Sequence, residues 1–316
     1  MTATTEEAPT RPRAARRAGD IWFSGTAVFA GSMILVTLAA VALFLIVQSV
    51  PAIGADSESA SLLTSDFWGY VGPLLFGTVW AAFLALLMAV PLSLGVALFI
   101  THYAPRRLAQ GLGYIVDLLA AVPSVVFGLW GILVLAPAVQ PAYSWLTTNA
   151  AWFPLFSGPV SATGRTIFTA AIVLAVMVVP IITAICREVF LQTPRLHEEA
   201  ALALGATRWE MIRMAVLPFG RSGIVSGAML GLGRALGETM AVAMVLSTTG
   251  TVTFDLFTSM NPSTIAANIA LTFPEAYGTN INVLIATGLI LFVVTFAVNA
   301  LARWIVSRRS EFSGAN

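Results

Sequence analysis

Long runs of apolar residues alternate with short polar connections along this chain, and six of the runs are long enough to cross a bilayer at about 20 residues per crossing. They fall near 23–48, 73–101, 113–136, 166–186, 223–249 and 281–304. The pattern predicts an all-α polytopic membrane protein with six transmembrane helices. Four parts follow: a charged, Pro-containing tail over 1–20, a first helix with its outer loop over 21–72, a transmembrane domain over 73–305, and a short tail over 306–316. No small-residue cleavage site follows a short apolar core, so the first span is expected to be retained rather than removed as a signal peptide. Pro91 and Pro180 fall inside spans two and four, where they mark candidate kinks.

Composition supports the membrane assignment. The 316 residues are 58% hydrophobic and 10% charged, against about 25% charged in soluble domains. The single cysteine, Cys186, excludes an internal disulfide and a cysteine-based metal cluster and is expected to be a buried apolar group.

Charge placement gives an orientation. All 16 basic residues are arginine. Arg11, Arg13, Arg16, Arg17, Arg106, Arg107, Arg187, Arg195, Arg208, Arg213, Arg221, Arg303, Arg308 and Arg309 fall on one side of a six-span topology. The opposite loops hold Arg165 with Asp56, Glu58, Asp66, Asp255 and Glu275. The positive-inside rule then places both termini and the polar segment 193–218 in the cytoplasm. On the other side, residues 137–165 are expected to form a long aromatic-rich loop. Its Trp145 and Trp152 suit either an interfacial belt or a docking surface for a binding protein.

Residues 193–218 are the most informative polar stretch. Thr193 as N-cap and Pro194 at the first helical position predict a helix start. That helix runs through Glu199, Ala200 and Ala201 and ends at Gly205, a residue suited to the left-handed conformation. Thr207 and Glu210 form a Thr-x-x-Glu capping box for a second helix, expected to reach Leu217 and stop at or before Pro218. Two short helices meeting at a glycine corner make a compact knuckle, suited to docking on a soluble partner.

Glu199-Ala200-Ala201, Gly205 and Leu217-Pro218, at these offsets, resemble the EAA loop of bacterial ABC importer permeases, with Ala215 where that pattern usually has isoleucine. The resemblance implies a type I ABC importer permease fold and a coupling role for Glu199, Ala200, Ala201, Gly205, Leu217 and Pro218. The alternative is an ordinary amphipathic connection between spans.

Span five carries the candidate chemistry. Arg234 lies eleven residues past Gly223, roughly 16 Å along a helix and about half of a 30 Å hydrocarbon core. Glu238 follows at i+4, on the same face of a continuous helix. Charged groups at mid-membrane cost about 2.5–3.5 kcal/mol each on insertion scales, so they face a pore or pair with one another. Either the two form an ion pair that only neutralises that cost, or Arg234 holds an anion whose release Glu238 assists. The planar guanidinium fork suits phosphate. Glycines at 227, 231, 233 and 237 leave this helix thin enough for close helix approach. Asp117 is expected at the cytoplasmic end of span three in a capping or interfacial role, and His102 and His197 in solvated loops.

The stretch from Gly233 to Ala241, Gly-Arg-Ala-Leu-Gly-Glu-Thr-Met-Ala, resembles the phosphate-specific (Pst) importer permeases, as does Leu119 to Gly128. The extra first span and long third outer loop resemble the C-type subunit of that system. The resemblance implies a permease subunit of an ATP-driven phosphate importer in a bacterial cell membrane, working by alternating access, with Arg234, Glu238 and Thr239 on the substrate path. Its implied partners are a second permease, two ATPase subunits and an extracytoplasmic phosphate-binding protein. No Gly-x-x-x-x-Gly-Lys-Ser/Thr loop is possible in a chain without lysine, so ATP is expected to bind a partner subunit, with no cofactor here. No basic, aromatic-interleaved patch for nucleic acid occurs. Three other readings stay open: a permease for molybdate or sulfate, an ion-coupled transporter or channel, and a membrane scaffold with a structural Arg234–Glu238 pair.

Overall fold

The computed structural model describes residues 18–63 and 66–310. Among the described residues six helical segments are long and apolar enough to cross a membrane: Trp22–Ile53, Phe67–Tyr103, Ser124–Asn149, Ile167–Leu191, Arg208–Gly237 and Thr279–Trp304. The tails expected over 1–20 and 306–316 lie largely outside the described residues. The described residues up to Val47 form one compact unit and those from Gln48 onward the other. Most of α1 (Ala18–Ile53) belongs to the first, and its apolar side chains, among them Phe29, Leu35 and Leu43, are exposed as lipid contact requires.

The second unit is built on α2 (Phe67–Leu98) packed along α6 (Ile167–Leu191), with α9 (Leu217–Gly237) packed against both. The α2–α6 seam is lined with alanine at 81, 85, 89, 170 and 171, all nearly inaccessible. Small side chains let the backbones approach, the basis of helix association where lipid removes the hydrophobic drive. Ser93 Oγ donates across the seam to the Val179 carbonyl at 3.2 Å, and Thr183 Oγ1 to the Ser93 carbonyl at 3.5 Å.

Glycines make the α6–α9 seam in the same way. A Cβ on Gly231 would lie 2.5 Å from Val178 Cγ1 and 2.9 Å from Ile182 Cδ1. Gly227 also faces α6, whereas Gly233 and Gly237 face open space, so half of the expected thin face is used for packing. Gly231→Leu is expected to overpack the seam by about 1–3 kcal/mol, read as a lowered Tm of the purified complex, while the same change at Gly233 costs little.

Three expectations change. First, the span expected over 113–136 is divided at Pro123. Residues Arg106–Ala120 form a separate amphipathic helix, α3, and the crossing is made by α4 (Ser124–Trp130) continuing into α5 (Ala136–Asn149). Proline has no N–H and biases Val122 away from helical geometry, so the chain turns at 121–123. Second, residues 137–149 are helix rather than loop, and the connection to α6 shortens to 150–166. Third, the helix after the knuckle does not stop at Pro218. α8 (Arg208–Met211) passes through a π-turn, Ile212–Val216, directly into α9.

Proline explains that continuity. Each of three π-turns ends immediately before an X-Pro pair. The amides of Ala104, Ala136 and Leu217, which precede Pro105, Pro137 and Pro218, donate to the carbonyls of Phe99, Gly131 and Ile212, five residues back. A wider turn moves the carbonyl that the ring would strike. At positions 137 and 218 the helix therefore continues past the proline.

Past Gly237 the chain leaves helical geometry at Glu238 (φ −70°, ψ 128°), forms α10 (Met240–Val245), and returns through an irregular segment to α11 (Ile265–Thr272) and α12 (Thr279–Ser310). Buried Asn261 fixes this segment: its Nδ2 donates to the Ser247 and Thr258 carbonyls, and its Oδ1 accepts the Ile167 N–H. Thr78 on α2 accepts the Ile265 N–H at 2.9 Å and pins the start of α11.

Candidate functional site: a membrane-embedded arginine and a glycine-cornered knuckle

Arg234 is in the last turn of α9, where a cation complements the carbonyl end of the helix. It is half-buried, and its Nε has no hydrogen-bond partner. Its side chain lines a cleft of about 770 Å³ formed by Val225, Ser226 and Met229 of α9 with Asn299 and Arg303 of α12, among others. Among the described residues no carboxylate lines that cleft.

Glu238 is placed differently from the sequence expectation. The helix ends at Gly237, so Glu238 is not one turn further along the same face. It is buried, with Oε1 accepting the Ala241 N–H at 3.2 Å. Arg234 and Glu238 form no ion pair with each other, whereas Arg187 pairs with Asp117. The paired alternative is therefore not the geometry of this chain. Glycines at 233 and 237 lower helix propensity, and a carboxylate serves the α10 amide well once the chain has turned. Thr239 Oγ1 donates locally to the Gly237 carbonyl at 3.1 Å. Of the three candidate path residues, Arg234 alone lines the cleft.

The knuckle has the expected glycine corner and a corrected beginning. α7 runs from Arg195 to Ala203, with Pro194 rather than Thr193 at its N-cap. Thr193 is buried, and its hydroxyl has no partner. Because Pro194 is extended at ψ 125°, the first helical residue moves to Arg195. At the other end Gly205 has φ 86°. The Gly205 N–H donates to the Leu202 carbonyl and the Ala206 N–H to that of Ala201, a Schellman closure. The Thr207–Glu210 capping box is complete: the Thr207 N–H donates to Glu210 Oε2 at 2.8 Å and the Glu210 N–H to Thr207 Oγ1 at 3.3 Å.

Glu199 and Ala200 are exposed on α7, and Ala201 is partly covered. Large apolar side chains are also left uncovered: Leu204 is 89% exposed, Leu196 76% and Trp209 55%. Pro218 is exposed and Leu217 partly buried at the start of α9, so they join the knuckle to the crossing helix. α7 itself packs on the Ile212–Val216 turn and on α8.

Sequence reasoning missed His102. It lies in the π-turn that ends the second crossing, with a ring only 9% exposed rather than solvated. Thr101 Oγ1 is 2.7 Å from its Nδ1, and Glu198 Oε1 of α7 is 3.6 Å from its Nε2. Asp117, on α3 rather than in the third crossing, pairs with Arg187 Nη2 at 3.3 Å. Arg303 and Asn299 were also missed as cleft residues. Their spacing at i and i+4 on an apolar helix was the available signal.

The family described as "Binding-protein-dependent transport system inner membrane component" matches residues 89–311. The phosphate transport system permease protein PstC 2 of Mycobacterium tuberculosis is 50% identical over 305 residues, covering 93% of both chains. PstC of Mycobacterium leprae is 47% identical over 281 residues, covering 85% of this chain and 87% of the relative. Among solved structures, a bacterial alginate ABC transporter in complex with its alginate-bound periplasmic protein superposes with a TM-score of 0.62. It is 19% identical, covering 94% of this chain and 97% of that one.

Proposed function

The chain belongs to the family of binding-protein-dependent transport system inner membrane components, among its PstC phosphate permeases, and from that premise we propose that it forms part of the phosphate path and couples it to an ATPase. The observation that carries this reading is Arg234. A half-buried guanidinium within the fifth crossing helix, with an unpartnered Nε and an open cleft before it, is costly unless it meets an anion. Its fork matches a tetrahedral oxyanion, and the relatives' names supply the choice of phosphate. The alginate transporter shows that the fold by itself does not set the substrate. Glu238 tempers the site through its field rather than through contact, and Thr239 fixes the break between α9 and α10.

The coupling half rests on the knuckle. Leu196, Leu204 and Trp209, large apolar side chains left exposed on one short knuckle that also carries exposed Glu199, suit a groove on a soluble subunit. Movement of α7 would reach the bundle by two routes: the continuous α8–π-turn–α9 rod, and the His102–Glu198 contact to the end of the second crossing. The partners in this reading are a second permease subunit, two ATPase subunits that bind the ATP, and an extracytoplasmic phosphate-binding protein. Both termini and the knuckle face the cytoplasm.

Two measurements test it. Radiolabelled phosphate uptake by cells relying on this importer should disappear when the chain is deleted, and excess sulfate or molybdate should not compete. Strong competition by either would reassign the substrate. In a Cys186→Ala background, cysteines introduced at Ala104 and Arg208 should react from the cytoplasm and one at Trp145 from outside. Labelling of 145 and 208 from the same side would defeat the topology.

A further inference from the structure

The cleft before Arg234 extends well beyond that residue. Its α9 wall runs from Val225 to Arg234, nine residues and about 13 Å at roughly 1.5 Å each. The opposite wall carries Asn299 and Arg303, one turn apart on the same face of α12. Two arginines from different helices thus line one cavity that, among the described residues, has no carboxylate in its wall. Arg234 is half-buried and Arg303 exposed.

We infer that Arg303, with Asn299, forms a second phosphate-holding station, one stage beyond Arg234 toward the membrane face that bears the knuckle. The inference rests on the reading of Arg234 as an anion contact. A cleft lined by one sign of charge raises the local concentration of the opposite ion by about 10–10³-fold. Conduction needs more than one site, each weak enough to leave. The two arginines differ in the required sense. The half-buried guanidinium lies in lower effective dielectric and holds an anion tightly, while the exposed one competes with water and releases it. The Asn299 amide adds a neutral donor beside Arg303, so an oxyanion can be passed on without being trapped. The competing occupant is the phosphate of a lipid headgroup, which a long arginine near a helix end can also reach.

The test uses the whole importer, with Cys186→Ala, in nanodiscs of zwitterionic lipid that leave both faces open. Asn299→Cys is the probe, with Ala302→Cys as a second position on the same wall if the first fails to assemble. Its modification is timed with a sulfonate-bearing and a trimethylammonium-bearing methanethiosulfonate. The anionic reagent should be favoured by about tenfold relative to a free thiol, and Arg303→Gln should remove most of that preference. Inorganic phosphate should slow labelling saturably, while chloride at equal ionic strength should not. Absence of the preference, or of phosphate protection, overturns the station. So does protection by anionic lipid and not by phosphate, which assigns Arg303 to headgroups. A Ser226→Cys probe on the α9 wall separates the two readings. Phosphate protection there that depends on Arg234, with none at 299, leaves the Arg234 site standing and the Arg303 station refuted. Protection at 299 that survives Arg234→Gln and vanishes with Arg303→Gln supports the station and removes Arg234 as its necessary partner.

Discussion

Arg234→Gln should reduce phosphate uptake by on the order of tenfold to a hundredfold at matched expression, the equivalent of about 1.5–3 kcal/mol for a hydrogen bond to a charged group. Glutamine keeps donors at the site but loses the charge and the planar fork. Arg234→Lys keeps the charge and should be impaired less. The double variant Arg234→Gln with Glu238→Gln separates contact with the anion from structural pairing. If Arg234 served only to neutralise Glu238, removing both charges would relieve the desolvation cost and uptake would recover. The geometry argues otherwise: Glu238 has its own partner in the Ala241 N–H and forms no ion pair with Arg234. The double variant is therefore expected to remain as inactive as Arg234→Gln. Glu238→Gln alone preserves an acceptor for Ala241 and should slow release rather than abolish binding, seen as a lower maximal rate with unchanged or tighter apparent affinity.

The second large effect is expected at Gly205. Its φ of 86° is in the left-handed region, and a Cβ there would meet nothing within 4 Å. Any penalty on substitution is therefore backbone strain rather than a clash. For a β-branched residue that strain is about 1–3 kcal/mol. It should open the Schellman closure and rotate α7 away from the Thr207 capping box. Gly205→Val should abolish most transport-coupled ATP hydrolysis of the complex while the chain still reaches the membrane. Gly205→Asn, which tolerates the same conformation, should retain much of it. Near-normal uptake in the valine variant would refute the coupling role. Equal loss in both variants would show that the position needs the absence of a side chain rather than a permitted φ, pointing to a partner surface pressed against it.

The two sites differ in how much of each could be read before the fold was known. The knuckle is local chemistry. A capping box spans four residues and a Schellman closure six, so residue types at fixed spacing dictate its hydrogen bonds without help from the rest of the chain. Six apolar runs likewise required six helices, because backbone polar groups in lipid must be satisfied within their own segment. The glycines at 227 and 231 announced a close helix approach, though the partner, α6, could not be read from them.

Other features depended on neighbours far away in sequence. Pro123 and Pro218 carry the same local signal, yet one ends a helix and the other is carried through, because at 218 a π-turn widens the preceding coil and α9 is held against α6. The helix break at Glu238 moved that residue off the face of Arg234, where continuous periodicity had placed it. Asn299 and Arg303 became part of the Arg234 cleft only when α12 packed beside α9. Sequence determined the six apolar crossings, the Thr207–Glu210 capping box and the glycine corner of the knuckle, since those follow from hydropathy, spacing and propensity. Tertiary packing alone decided where helices stop at proline and glycine and which distant charges share a cavity, because those outcomes depend on what the neighbouring helix offers in exchange.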